Sequence, residues 1–203
     1  LHADDSSAAP NVSDADKERA KALFTAGVER MRAEDFAGAA QSFEAALAIA
    51  PYAVIRYNLG LAYERLDRPV DAVAAMEEVL RNPGTLRPER LERAKQSLAE
   101  QQARIGRLRV AAEPAGAQIS VDGRALGQAP LQTRLKAGVH YVEIAAANHA
   151  PFRQAVSLSA GGEASISAVL TPTQAQGAQL WVRSALAGAD VWLDGERIGK
   201  TTR

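Results

Sequence analysis

Between residues 18 and 84 one pattern is written twice, and its spacing restricts the fold more than any other feature. Gly27, Ala39, Phe43, Ala46, Leu47 and Pro51 recur, all at one constant offset, as Gly60, Ala72, Met76, Val79, Leu80 and Gly84. A short fixed period of this kind marks a supersecondary unit that cannot bury its apolar face alone, so that copies stack and share a core. Each unit reads as two helices. Ser13 followed by Asp16 suits the start of the first, and Leu23, Phe24, Val28 and Met31 follow at helical spacing. Glu34-Asp35 breaks that pattern. Phe36, Ala39, Ala40, Phe43, Ala46, Leu47 and Ile49 resume it until Pro51. The second pair is expected over 53–66 and 69–81, with Pro69 in a first helical turn. Gly27, Gly60, Ala39 and Ala72 let paired helices approach closely, and Phe43 and Met76 fill the space beside them.

These units resemble the tetratricopeptide repeat, whose pattern includes L-G-x2-Y, A-x3-F and a closing Pro. Leu59-Gly60-x2-Tyr63 matches the first element, and Ala39-x3-Phe43 with Pro51 the others. Ala26, Arg30 and Met76 depart from it. The resemblance implies a groove that binds a protein or peptide, lined by the first helix of each pair. Carried onto this chain, the lining is Phe24, Val28, Met31, Tyr57, Asn58, Leu61 and Arg65, with Asn58 placed to hydrogen-bond a peptide backbone. The same side chains also suit simple packing between helices. The clamp some relatives use for a C-terminal carboxylate needs Lys and Asn where this chain has Phe24 and Val28. About three repeats are needed for a stable stack. A capping helix from Pro88 to about Ala103, with Leu91, Ala94, Leu98 and Ile105 on one stripe, is therefore expected to cover the second pair, with help from the segment beyond.

After Gly106 the apolar period shortens to two. Leu108 and Val110 alternate, then Ala117, Ile119 and Val121, before Asp122-Gly123. Asp-Gly between alternating runs is a hairpin signal, because both turn positions need positive φ. Further strands are expected on both sides of Ala137-Gly138 and of Gly161-Gly162. The fold class is thus helical hairpins followed by a small antiparallel β-sandwich of six or seven strands. Glu113-Pro114-Ala115-Gly116-Ala117 is identified with the motif of the PEGA domain, with Ala115 inserted. "ISVDGRALGQAPL" and "LKAGVHYVEI" are similar to the segments that follow it in that family. The resemblance covers residues 106–172. It implies a small all-β domain of bacterial and archaeal envelope proteins, often repeated and often joined to tetratricopeptide repeats. Read physically, the motif is a set of turns. Pro114 ends a strand, Gly116 and Ala117 turn the chain, Asp122 and Gly123 close the hairpin, and Gly127 shapes the next link. Asp122 in such a turn is expected to bond its own backbone. Arg124 beside it is the other residue of that loop that could touch a ligand.

The motif returns. Gly116, Ala117, Asp122, Gly123 and Gly127 recur at a single offset as Gly188, Ala189, Asp194, Gly195 and Gly199, and at the same offset Leu108-Arg109-Val110 recurs as Leu180-Trp181-Val182. The chain divides into a disordered segment 1–13, two helical hairpins 14–84, a capping helix and linker 85–105, a PEGA unit 106–172, and a linker with a truncated second PEGA repeat over 173–203. A lone hairpin is marginal in water. The second copy is accordingly expected either to belong to a longer chain or to pair along another sheet edge.

Of the possible chemistries, none assembles. There is no cysteine in 203 residues, which excludes thiolate metal sites and thiol catalysis. Gly195-x3-Gly199-Lys200-Thr201 has one residue too few between its glycines for a phosphate-binding loop, and a hairpin turn shared by both copies explains the glycines. His2, His140 and His149 make no metal site by their spacing. No catalytic residue, metal or cofactor is expected. Formal net charge is zero, but residues 1–80 carry 8 Lys and Arg against 14 Asp and Glu, and residues 81–109 carry 8 against 3. The basic stretch lacks the aromatic residues that stack bases. It reads as a helix face partly paired to the acidic repeats, with no nucleic-acid partner. No apolar run approaches a membrane span. Leu1-His2-Ala3 has the small-residue end of a signal-peptide cleavage region, or is an arbitrary start; Asn11-Val12-Ser13 fits a glycosylation sequon. The expected protein is a non-catalytic scaffold in the bacterial periplasm or at the cell surface, with the PEGA units as spacers or adhesive modules. The alternative is a glycan- or peptidoglycan-binding module using Tyr141, Phe152, Trp181 and Trp192.

Overall fold

The computed structural model describes residues 12–173, 182 and 184–201. Residues 1–11, including His2, Asn11 and most of the segment expected to be disordered, lie outside them, as do Leu180 and Trp181 of the echoed first strand.

Five helices come first: α1 (Asp14–Arg32), α2 (Phe36–Ile49), α3 (Ala53–Arg65), α4 (Pro69–Arg81) and α5 (Pro88–Gln102). Ser13 caps α1 by accepting from the Asp16 N–H at 3.2 Å, and Asp35 caps α2 by accepting from the Gly38 N–H at 2.9 Å. Pro69 occupies the first turn of α4, where its missing N–H costs nothing. The turns inside the two hairpins are copies. Glu34 and Asp67, at equivalent positions of the two units, have φ of 59° and 56°. The following N–H groups reach back to Arg30 O at 3.0 Å and to Tyr63 O at 2.9 Å. This is a left-handed helix stop made without glycine.

The small residues act as the repeat requires. Phe43, fully buried, packs its ring against Gly27, and Met76 lies against Gly60. Ala39, Ala46, Ile55, Leu59 and Ala62 complete the core shared by α1, α2 and α3. A second core of Tyr57, Met76, Val79 and Ala94 is closed by Leu91 and Leu98 of α5, so the fifth helix does cover the second hairpin. Ile105 leaves the stripe assigned to it; the helix ends at Gln102 and Ile105 opens the first strand.

The strands are β1 (Ile105–Glu113), β2 (Gln118–Val121), β3 (Arg124–Gln128), β4 (Leu131–Lys136), β5 (Gly138–Ala145), β6 (Phe152–Leu158) and β7 (Glu163–Val169). They form two sheets, ordered β4-β1-β7 and β3-β2-β5-β6. Leu108, Val110 and Ile166 from the first face Ile119, Val121, Val142 and Ile144 from the second across one apolar core. Burying a side chain such as Leu108 contributes roughly 1.5–3 kcal/mol. All pairings are antiparallel except β1 with β7, which run parallel from Arg107↔Glu163 to Glu113↔Val169. This departs from the wholly antiparallel sandwich expected. The cause is topological, since β7 returns after the whole second sheet and enters beside β1 from the same end.

The two parts meet through charge. Asp67, in the turn of the second helical hairpin, holds both Arg104 and Lys136. Glu77 of α4 accepts from both terminal nitrogens of Arg134 on β4, at 2.7 and 3.1 Å. Lys136 first and then Arg104 draw Asp67 below the ordinary carboxylate range, and Arg134 does the same for Glu77. The acidic repeats therefore do pair with the basic segment, as Arg93 with Glu64 at 3.3 Å also shows.

Candidate partner-binding surfaces

The residues expected to line the helical groove fall into two groups. Phe24, Val28 and Met31 on α1 are half-buried against the first core, and the Phe24 ring lies 5.7 Å from that of Phe43 at 45°. Tyr57 is buried in the second core under Arg90, whose guanidinium stands 5.8 Å from the ring centre, and Leu61 packs beside it. These five share in helix packing. Asn58 is half-buried and donates one side-chain N–H to Val54 O at 2.7 Å within α3. Arg65 is exposed and lies 4.8 Å over the Phe36 ring. The half-buried apolar members lie on α1 and α3, and the polar Asn58 and Arg65 lie on α3.

Deeper polar groups in the helices are matched to one another. Ser97 of α5 donates to Glu64, which also meets Arg93. Tyr63 donates to Glu44 at 2.7 Å; burial foremost, then that bond and the carboxylate charge, push its phenol well above the usual range.

In the β part, the turn residues are placed as expected. Asp122 and Gly123 have φ of 51° and 79° and join β2 to β3 as a two-residue hairpin. Gly127 sits at a bulge where Ile119 pairs with Gly127 and Ser120 with Ala125. Pro114 follows the last residue of β1, Gly116 bonds Ala129 O through its N–H at 3.2 Å, and Ala117 is buried. The Asp122 carboxylate does something else than expected. It reaches across the sheet to β5, accepting from the Tyr141 N–H at 2.9 Å and from His140 Nδ1 at 2.7 Å. The other ring nitrogen of His140 meets Lys136 O at 2.7 Å. Both partners are acceptors, so the arrangement favours the form in which both ring nitrogens carry protons. Burial of the imidazole opposes its charge, but the bonds to Asp122 and to the Lys136 carbonyl outweigh this and raise its pKa. Burial likewise opposes ionisation of Asp122, and His140 with the Tyr141 N–H overcomes it and lowers the pKa. His140 is thus a buckle between turn and strand. A sequence signal existed in Asp122 and His140 together, but pairing them requires knowing that β2 and β5 are neighbours.

The echo is a hairpin of its own, β8 (Asp190–Leu193) with β9 (Glu196–Lys200). Its geometry repeats the first copy, with Val191 opposite Gly199, Trp192 opposite Arg197, and the bulge between them. Asp194 and Gly195 have φ of 49° and 86°. Among the described residues β8 and β9 pair only with each other. The supposed phosphate loop is this turn and strand, and the Thr201 hydroxyl is spent on Leu186 O at 2.8 Å. Of the four aromatic candidates, Tyr141 and Trp192 are 69% and 62% exposed, Phe152 is turned against the core, and Trp181 lies outside the described residues. Among the described residues no helix is long and apolar enough to cross a membrane, and no cluster of three metal-ligating side chains forms.

Two stacked helical hairpins with a covering helix, joined to a two-sheet β domain, define a modular repeat protein. Residues 105–174 match the PEGA domain family. Among solved structures, the chain is similar to a tetratricopeptide repeat domain protein from Salinibacter ruber, determined by solution NMR. It is 22% identical, with 42% of this chain and 88% of that chain covered, at a TM-score of 0.37. No curated protein matches the chain.

Proposed function

We propose that this chain is a non-catalytic scaffold of the bacterial envelope, exported to the periplasm or cell surface. Its helical hairpins dock a protein or peptide partner, and its β units act as spacers. The supporting observation is that Phe24, Val28 and Met31 on α1 and Leu61 on α3 remain only half-buried, with Asn58 half-buried and Arg65 exposed on α3. Half-buried apolar side chains accompanied by an amide and a guanidinium suit a peptide that supplies both side chains and backbone. The hairpin over 190–200, with its preserved bulge and turn, supports reading the C-terminal segment as part of a second PEGA repeat.

The test is a photo-cross-linker introduced at position 65 of the full chain in living cells. One dominant adduct is expected there, and none from the same group at Ala48, an exposed position on α2. Equal labelling from both positions, or none from either with the helices folded, would refute the docking assignment.

A further inference from the structure

The outward face of the β5–β6 pair carries a graded ladder. Val139 stands opposite Ser157, Tyr141 opposite Ala155, and Glu143 opposite Arg153. Val139 and Tyr141 are 61% and 69% exposed, while Glu143 and Arg153 are joined at 2.7 Å. Beside Tyr141, Glu143 and Arg153 runs a shallow groove of about 280 Å³, also lined by Ser120, Gly123 and Ala155, and Val139 stands on the same face two residues from Tyr141. The face thus offers an uncovered aromatic ring, small residues that leave room beside it, and a carboxylate and guanidinium fixed two residues along the strand.

The same grouping occurs on β8–β9, where inheritance does not explain it. Trp192 stands where the first copy has Ser120, and Arg197 where it has Ala125. The second copy keeps the turn and bulge of the first but replaces two small outward residues with an exposed indole and an arginine. Asp190, two residues before Trp192, binds Arg197 at 2.7 Å. In both places an exposed aromatic shares its strand with an acid two positions away, and that acid is paired to an arginine on the neighbouring strand. No fold requirement visible in either hairpin calls for the ring.

We propose that the ladder of Val139, Tyr141, Glu143 and Arg153 binds a β-1,4-linked N-acetylhexosamine chain. A pyranose whose substituents are all equatorial presents a flat face of C–H bonds, and that face stacks on Tyr141. Its ring-edge hydroxyls donate to Glu143 and accept from Arg153, the charge-assisted bonds that hold best at a wet surface. The acetamido methyl sits against Val139. The ion pair holds both polar groups in place before binding, which reduces the ordering cost.

The probe is chitohexaose titrated into the full chain, followed by backbone amide shifts in two-dimensional NMR. Shifts confined to residues 139–143 and 153–157, with a dissociation constant on the order of 1 mM, are expected. Tyr141→Ala should weaken binding at least tenfold and Tyr141→Phe should keep it. Both variants should melt like the parent, since the ring is exposed. Three results would overturn the proposal: no shifts on this face at ten times that concentration, shifts unchanged in Tyr141→Ala, or a protein partner that occupies this face while chitohexaose does not. The cross-linking at position 65 is unaffected by either result.

Discussion

Gly27→Ala gives the sharpest test of how the helices pack. In an exposed helix this change stabilises by about 1 kcal/mol, because alanine loses less backbone freedom on folding. Here a Cβ would lie 2.5 Å from Phe43 Cε1 and 2.7 Å from Cδ1. The ring is completely buried among Ala39, Ala46 and their neighbours, so it has nowhere to turn. Overpacking of this kind costs about 1–3 kcal/mol. Because the overlap involves a rigid ring, a cost at the upper end is expected, leaving a net loss of roughly 1–2 kcal/mol. For a helical part of this size that is about 5–10 °C in Tm, followed by far-ultraviolet circular dichroism of the full chain. Gly60→Ala is the control. Its Cβ would meet the Met76 methyl at 2.7 Å, and that methyl ends a flexible side chain that can swing away. A change within about 0.5 kcal/mol of zero follows. Stabilisation by Gly27→Ala, or equal losses from both substitutions, would refute the close approach of α1 to α2. Adding Phe43→Leu to Gly27→Ala should recover part of the loss, with a favourable coupling of about 1 kcal/mol.

Leu108→Ala empties the centre of β1 between its two neighbours and should cost about 2–5 kcal/mol in urea denaturation of the β domain; a loss below about 1 kcal/mol would contradict the shared core. Gly123→Ala meets no atom within 4 Å but forces alanine to a φ of 79°, so about 1 kcal/mol is expected from backbone alone. Gly195→Ala, at 86°, should leave the main unfolding transition unmoved, because β8 pairs only with β9 among the described residues; equal shifts would show the second hairpin to be part of the cooperative fold. The His140–Asp122 buckle has two pH limits. The raised imidazole pKa gives stability that is complete below its unfolded value of 6.5 and is lost as pH rises through the folded value. The depressed Asp122 pKa gives stability present above 3.8 and lost as pH falls through the folded value. The contribution, under about 1 kcal/mol at this half-open site, should therefore peak between those two pH values. His140→Gln should flatten the decline above 6.5 in pH-dependent melts, and an unchanged profile would count against the pair.

The helical half was legible because its information is local. A glycine opposite an aromatic, repeated at a fixed period, specifies a close helix pair without reference to the rest of the chain. The Asp-Gly turn was legible for the same reason. What escaped were relations set by distant pairing. Nothing near β1 or β7 reveals that they run parallel, because the whole of the second sheet lies between them in the chain. The Asp-Gly spacing points Asp122 to its own turn, because the neighbour that takes its carboxylate lies on β5. Ile105 continued a helical stripe by spacing, but the strand ladder claimed it. The groove residues were found by repeat position, and position alone did not separate packing side chains such as Tyr57 from surface ones such as Arg65.

The parallel pairing of β1 and β7 has a mechanical consequence. The chain enters the β domain at the start of β1 and leaves it at the end of β7, and these are neighbouring strands running in the same direction. Tension along the chain therefore pulls the two strands past each other lengthwise. It loads all seven paired positions from Arg107↔Glu163 to Glu113↔Val169 together, where a hairpin would open one rung at a time. Pulled between residues 103 and 173, the domain should yield in a single high-force rupture, and a gradual peel would contradict the geometry. A domain joined in this way resists stretching as a unit and lengthens only when the whole seam shears.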